Sequence, residues 1–265
     1  MLLADYDLTT AIEAIARIDG LRVVQTMSAG VDRIVDLIPS GIILCDASGV
    51  HDVRVAEWIV MAILASNRRL PQLLEAQRAG SWRHSEAARG DDLDGARVLV
   101  LGYGSIGRAV EERLRPFGAV VDRVARRDRE GIHPLADLPD LVPRADILVV
   151  LLPLTPETRG FVSSGILSSM KPGSLLVNAS RGAVVDTAAL MAELAGGRIR
   201  AALDVTDPEP LPDGHPLWSM PGVLITPHIA GDVSREEDRA WALVADQVGR
   251  LARGEPLRNV VTDGY

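Results

Sequence analysis

Three segments of this 265-residue chain carry side chains suited to chemistry, and each directly follows an apolar run. Val177-Asn-Ala-Ser-Arg-Gly brings Arg181, Ala202-Leu-Asp-Val-Thr-Asp-Pro-Glu brings Glu209, and Thr226-Pro-His brings His228. Apolar runs bounded by turn residues read as buried strands. All three residues therefore fall just past strand C-termini, the edge at which open α/β sheets bind ligands. A guanidinium, a carboxylate and an imidazole sharing that edge suit redox chemistry on a 2-oxo acid. The guanidinium forks onto a substrate carboxylate, and the imidazole moves the hydroxyl proton. The carboxylate orients the ring and favours its charged form. Singly, each has a plainer role as a loop histidine, a helix-capping charge or a Glu-Pro turn. Their order and placement together carry the reading.

A second constellation lies upstream, where Arg97 to Gly107 read R-V-L-V-L-G-Y-G-S-I-G. Gly102, Gly104 and Gly107 have the G-x-G-x-x-G spacing, after a strand and at the opening of a helix with Ile106, Val110, Leu114 and Phe117 on one face. The first glycine permits a tight turn and the second lets backbone approach a pyrophosphate. The third allows close helix–strand packing. Tyr103, Ser105 and Ile106 complete the loop, and the helix N-terminus offers N–H groups and a positive dipole end. Glycine turns are common, but strand, helix and a second strand at Ala119 in register make dinucleotide binding the expectation. The second strand ends at Ala125, followed by Arg126 and Arg127. No carboxylate stands there to repel a 2′-phosphate, and two guanidiniums can clamp one. NADP is the expected cofactor, with NAD the alternative.

These segments need a scaffold of parallel strands and crossover helices, and the rest of the chain supplies the pattern. Strands are predicted at Arg22–Thr26, Gly41–Cys45, Arg97–Leu101, Ala119–Ala125, Asp146–Leu152, Ser174–Asn178, Arg200–Val205 and Val223–Thr226. Several are apolar throughout, as strands covered on both faces should be. Val53 to Leu74 reads as one long helix, apolar nearly all round and hence buried. The polar stretch from Arg78 to Asp94 follows it and is the expected domain boundary. Ser234-Arg-Glu-Glu237 forms a capping box opening a last helix that stops at Gly254. The expected organisation is a substrate domain over 1–88, rejoined by 238–265, and a nucleotide domain over 89–237.

Composition narrows the function classes. The formal net charge is −8 and the pI about 5.2, which supplies no basic footprint for nucleic acid and disfavours anionic membranes. At 47% apolar and 24% charged the chain reads as an ordinary globular protein. The longest apolar stretch, Trp58 to Ala65, is far short of the roughly 20 residues that span a bilayer. No secretory signal is apparent, since the first cation is Arg17, and a cytoplasmic location is expected. Cys45 is the sole cysteine and reads as a small buried hydrophobe. Lys171 is the one lysine among 28 cations. No metal site is expected.

Together the motifs resemble the D-isomer-specific 2-hydroxyacid dehydrogenases, the family of glyoxylate/hydroxypyruvate reductases and of phosphoglycerate, D-lactate and formate dehydrogenases. The resemblance runs from about Leu21 to Val261. It rests on Ser28-Ala-Gly-Val-Asp32, Val55-Ala-Glu57, the glycine loop, Leu152-Pro-Leu-Thr-Pro-Glu-Thr158, the Arg181 and Glu209 segments and Pro227-His228. It implies a Rossmann doubly wound parallel sheet inserted into a smaller, flavodoxin-like α/β substrate domain. It also implies hydride transfer between nicotinamide and substrate C2, with His228 as acid/base, Glu209 its partner and Arg181 the carboxylate anchor. Backbone N–H groups around Ala29 and Gly30 would hold the carboxylate's other side, and Asp204 would face the nicotinamide carboxamide. Leu152, Pro153, Thr158, Ala179, Ser180 and Ala230 would line the cofactor, and the assembly would be a homodimer.

The chain also departs from that family. Its opening residues, Met1-Leu-Leu-Ala, look like the third strand of the first domain, so an initial β-α-β unit is expected to be missing. Phosphoglycerate dehydrogenases carry an arginine shortly before Gly-Val-Asp, where this chain has Gln25-Thr26. A small unphosphorylated acid such as glyoxylate or hydroxypyruvate is therefore the expected substrate, with His51 and Arg54 as further candidates to touch it. The alternatives are an NAD-dependent phosphoglycerate dehydrogenase-like enzyme, a dinucleotide-sensing corepressor-like binding protein, and a truncated inactive remnant.

Overall fold

The computed structural model describes residues 1–4, 8–82, 89–126, 129–234 and 236–262. In chain order the first elements are β1 (Leu2–Ala4), α1 (Leu8–Arg17), β2 (Val23–Thr26), β3 (Ile43–Cys45), α2 (Asp52–Asn67) and α3 (Leu70–Arg78). Next come β4 (Arg97–Leu101), α4 (Ser105–Leu114), β5 (Val120–Val124), α5 (Leu138–Leu141), β6 (Ile147–Val150), α6 (Ser164–Ser169) and β7 (Leu175–Asn178). The last are α7 (Thr187–Ala195), β8 (Arg200–Leu203), β9 (Val223–Ile225) and α8 (Glu236–Arg253). They form two compact units, Met1–Arg54 with Gly231–Tyr265, and Val55–Ala230.

The first unit is built on a parallel sheet of order β1-β2-β3. Val24 and Leu44 pack with Ala11 and Ile15 of α1 on one face. A second cluster joins Met27, Ala47 and Val50 to Ala240 of α8. Gln25 is fully buried in the central strand, which is costly for an amide without partners. Its Nε2 donates to the carbonyl of Asp46, and its Oε1 accepts from Gln247 Nε2 on α8, both at 2.8 Å. Cys45 is buried as expected, and burial pushes its thiol up.

The second unit carries six parallel strands in the order β5-β4-β6-β7-β8-β9. A single parallel bridge, Val124 to His133, continues the sheet beyond β5. Successive residues of the central strands face opposite ways, and both faces are covered. Leu99, Leu101, Leu148, Val150 and Leu176 pack with Leu138, Leu167, Leu190 and Leu194. Val98, Val100, Ile147, Val149, Leu175 and Val177 pack with Val110 and Leu114 of α4 and with Ile59 and Ile63 of α2. That double cover is why the interior positions of these strands are apolar. At the N-terminal edge, Asp146 accepts from Lys171 Nζ at 2.7 Å and from the Arg97 N–H at 2.8 Å, tying the starts of β4, β6 and β7.

All eight predicted strands form, mostly a residue or two shorter at their ends. The helix expected over Val53–Leu74 is instead two helices. Arg69 adopts a left-handed φ of 54° between them, and Pro71, which lacks an N–H, sits in the first turn of α3. The units also divide at Arg54/Val55 and Ala230/Gly231, ahead of the boundaries expected at 88/89 and 237/238. The cause is packing: Val55, Ala56, Ile59, Ala62 and Ile63 belong to the second unit's own core. Phe117, expected on the buried face of α4, is exposed because the helix tightens into a 3-10 turn over 115–117. The capping pair Ser234 and Glu237 falls partly outside the described residues, and α8 stops before Gly254 with φ +68°. No described helix is long and apolar enough to cross a membrane.

Candidate active site

The glycine loop leaves β4 where neighbouring strands β5 and β6 diverge in chain order, the switch point of the sheet. Gly102 has φ +102°, and a Cβ there would lie 2.5 Å from the carbonyl oxygen of Leu151. Only glycine satisfies both demands. A Cβ on Gly107 would stand 3.2 Å from Gly102 O and from Val100, which measures how closely α4 approaches β4. At Gly104, nothing lies within 4 Å of that position, so the loop is open where a pyrophosphate would approach. Ser105, Ile106 and Gly107 form the first turn of α4, where N–H groups point out of the helix. This cradle fits a dinucleotide.

Beside the loop, Leu152 is buried and Thr158 closes the 153–158 turn on itself, its hydroxyl donating to Pro153 O at 2.6 Å. On the ribose side, Ala125 is buried and Arg126 exposed at the end of β5. The hydroxyl of Thr155, with the charge of Arg126 behind it, holds the Glu157 carboxyl below its usual range. Arg127 lies outside the described residues. Asp122 is occupied within the strand, 3.4 Å from Arg97 Nη1. Arg129, which sequence reasoning missed, donates from Nη2 to Tyr103 O at 2.8 Å.

Arg181, Glu209 and His228 follow β7, β8 and β9, three adjacent strands of one sheet. Asn178, buried at the end of β7, builds the first turn. Its Oδ1 accepts from the Ser180 N–H and hydroxyl at 3.1 and 2.8 Å, and its Nδ2 donates to Arg181 O at 3.0 Å. Ala179 and Ser180 are half-buried within that turn. A Cβ on Gly182 would sit 1.9 Å from Thr206 O, so the Arg181 turn lies directly against the Glu209 segment.

His228 Nδ1 and Glu209 Oε1 are 2.6 Å apart, and both side chains are half-exposed. A carboxylate accepts only, so Nδ1 carries the proton and Nε2 is left for other partners. The imidazole stands on a backbone with φ 56°. Asp204, 3% exposed, holds that backbone in place. Its Oδ1 accepts from Thr226 Oγ1 at 2.6 Å and the Ile229 N–H at 2.9 Å, while Oδ2 accepts from the Ala230 N–H at 2.8 Å. Asp204 thus braces the histidine loop, a role the sequence does not display.

In the first unit, the Gly30 N–H is taken by Ser28 Oγ at 3.1 Å, within the turn that also carries Ala29. Arg54 is buried and donates to Gly231 O at 2.8 Å and Val50 O at 3.2 Å. His51 Nε2 lies 2.9 Å from Met27 O. Both hold main chain.

Residues 60–230 match the family model described as D-isomer specific 2-hydroxyacid dehydrogenase, NAD binding domain. The chain is 36% identical over 267 aligned residues to a D-3-phosphoglycerate dehydrogenase of Mycobacterium bovis, covering 97% of this chain and 50% of that one. It thus spans about half the length of that relative. It is 34% identical over 248 residues to human glyoxylate reductase/hydroxypyruvate reductase, covering 89% and 76%. Among solved structures, a D-isomer specific 2-hydroxyacid dehydrogenase from Xanthobacter autotrophicus Py2, in complex with NADPH and MES, superimposes with a TM-score of 0.83. Identity there is 36%, with 94% of this chain and 80% of that one covered.

Proposed function

The chain belongs to the D-isomer-specific 2-hydroxyacid dehydrogenase family, and from that premise we propose that it reduces a small unphosphorylated 2-oxo acid with NADPH. The observation that carries the proposal is the 2.6 Å pair of His228 Nδ1 and Glu209 Oε1, on the sheet edge shared with Arg181. When bound, NADPH supplies a hydride from C4 of its nicotinamide ring to the substrate C2. Arg181 holds the substrate carboxylate with paired hydrogen bonds. His228 delivers the proton from Nε2 to the carbonyl oxygen, which becomes the hydroxyl as C2 accepts the hydride. Glu209 keeps the ring oriented and stabilises the imidazolium that precedes this transfer. In the oxidative direction the same nitrogen takes the proton back.

Ala125 and Arg126 at the end of β5, with Arg129 beside the loop, support NADPH over NADH, because among the described residues the strand end itself, Val124 to Arg126, carries a guanidinium and no carboxylate. Thr26 and Gln25 supply no cation for a substrate phosphate, and Arg54 is committed to backbone carbonyls. A homodimer and a cytoplasmic location complete the proposal. The likeness to a D-3-phosphoglycerate dehydrogenase favours one second reading, an NAD-dependent enzyme acting on a phosphorylated acid.

The test is steady-state oxidation of NADPH and of NADH with glyoxylate, hydroxypyruvate, pyruvate and phosphohydroxypyruvate, with His228→Ala alongside. We expect turnover with NADPH and an unphosphorylated acid, reduced about 10²- to 10⁴-fold in the variant. Activity with NADH and phosphohydroxypyruvate alone would establish the second reading. Tight nucleotide binding without turnover would replace the enzyme with a corepressor-like sensor.

A further inference from the structure

Glu111 is a buried carboxylate that the proposed hydride transfer does not use. It lies on the inward face of α4 and is 6% exposed. Three side chains converge on it. The Tyr103 hydroxyl donates to Oε2, Arg123 donates from Nε to Oε2 at 2.7 Å and from Nη2 to Oε1, and Arg115 reaches Oε1 at 3.5 Å. Arg123 comes from β5, and its guanidinium carbon lies 5.6 Å from the centre of the Tyr103 ring. One carboxylate therefore gathers a helix, a strand and the glycine loop.

Tyr103 is held at every polar point. Its N–H donates to Val124 O at 2.9 Å, its carbonyl accepts from Arg129, and its hydroxyl and ring meet Glu111 and Arg123. It stands between Gly102 and Gly104, the two residues with the greatest backbone freedom in the loop. Ordering such a loop on binding costs affinity, and a loop already fixed avoids that cost. A buried ion pair is weak evidence for stability in itself, and its attested benefit is specifying one conformation.

We infer that Glu111 is a positioning residue for the dinucleotide: with Arg123 it pins Tyr103, and so fixes the backbone of the glycine loop before the nucleotide arrives. This rests on the cofactor reading above but not on turnover. The brace acts on the pyrophosphate loop, so it should serve NADPH and NADH alike.

The experiment is nucleotide titration of the wild type, Tyr103→Phe, Glu111→Gln and the double variant, by calorimetry, with melting temperatures recorded in parallel. Each single change should raise the Kd for both nucleotides about three- to tenfold, and the double variant should be no worse than either single one, because both remove the same pin. Melting temperatures that fall while both Kd values stay at wild-type level would overturn the inference and leave a structural role. Should Glu111→Gln fail to fold, Tyr103→Phe removes one hydroxyl only and decides the matter by its Kd. A wild-type protein that binds neither nucleotide defeats the cofactor reading and this one together; unchanged Kd in Tyr103→Phe defeats this one alone.

Discussion

His228 is held in a backbone conformation that a non-glycine residue adopts at a cost of order 1 kcal/mol, and it stays there because Asp204 over-determines it. Both carboxylate oxygens of Asp204 are filled by the loop from Thr226 to Ala230, and the Asp204 carbonyl accepts from the His228 N–H at 2.7 Å. An amide in its place offers one acceptor oxygen and two unwanted donors. Asp204→Asn should therefore lower kcat about 10- to 100-fold through a displaced imidazole while the protein remains folded. Parallel kcat and melting measurements check this. A kcat at wild-type level would mean that the loop holds its shape without the carboxylate.

The links between elements set a pH dependence as well as a shape. Hydrogen bonds from Arg123 and then Tyr103 hold the Glu111 carboxyl down at about 2, against an ordinary value of 4.5. A depressed carboxyl stabilises the fold above the unfolded value and loses that contribution as pH falls through the folded one. Glu111→Gln should thus be less stable than wild type at neutral pH, by at most roughly 3 kcal/mol, with the gap closing between pH 4.5 and 2. Urea titrations across that range measure it, and a gap independent of pH would remove the ionised carboxylate from the account. Much at this scale was legible in the sequence. The central strands announced themselves because cover on both faces makes their interior positions apolar, and the glycine loop because Gly102 has no tolerated alternative and Gly107 lies in tight contact with β4. The break at Arg69 was not legible, since the apolar periodicity continues through it into Leu70, Leu73 and Leu74. Nor were the tasks of Asp204, Arg129 and Glu111. Each is defined by a partner across the fold, and no local spacing encodes that. Asn178 was readable in principle, as a side chain that bonds backbone two residues onward at a strand end.

At the scale of the whole molecule, the three proposed catalytic residues and the nucleotide loop all lie within Val55–Ala230. The same unit leaves Met61 and Leu73 on α2 and α3 exposed, and Trp82, at 96% exposure, has its apolar ring in solvent. Burying such side chains against a second copy would remove apolar surface from water, as the proposed homodimer would do. Sedimentation at micromolar concentration should give twice the 28.4 kDa chain mass, and a single-chain mass there would reject the dimer. Because all six strands of the unit run in parallel, its two edges are chemically unlike. The edge bearing Gly102, Arg181 and His228 is the proposed ligand edge, while Lys171 and Asp146 lie at the other. Lys171 is also the sole side-chain amine of this sequence. Each copy coupled to a sensor chip or electrode through that residue would be gripped from behind, with its proposed ligand edge turned to the bulk solution.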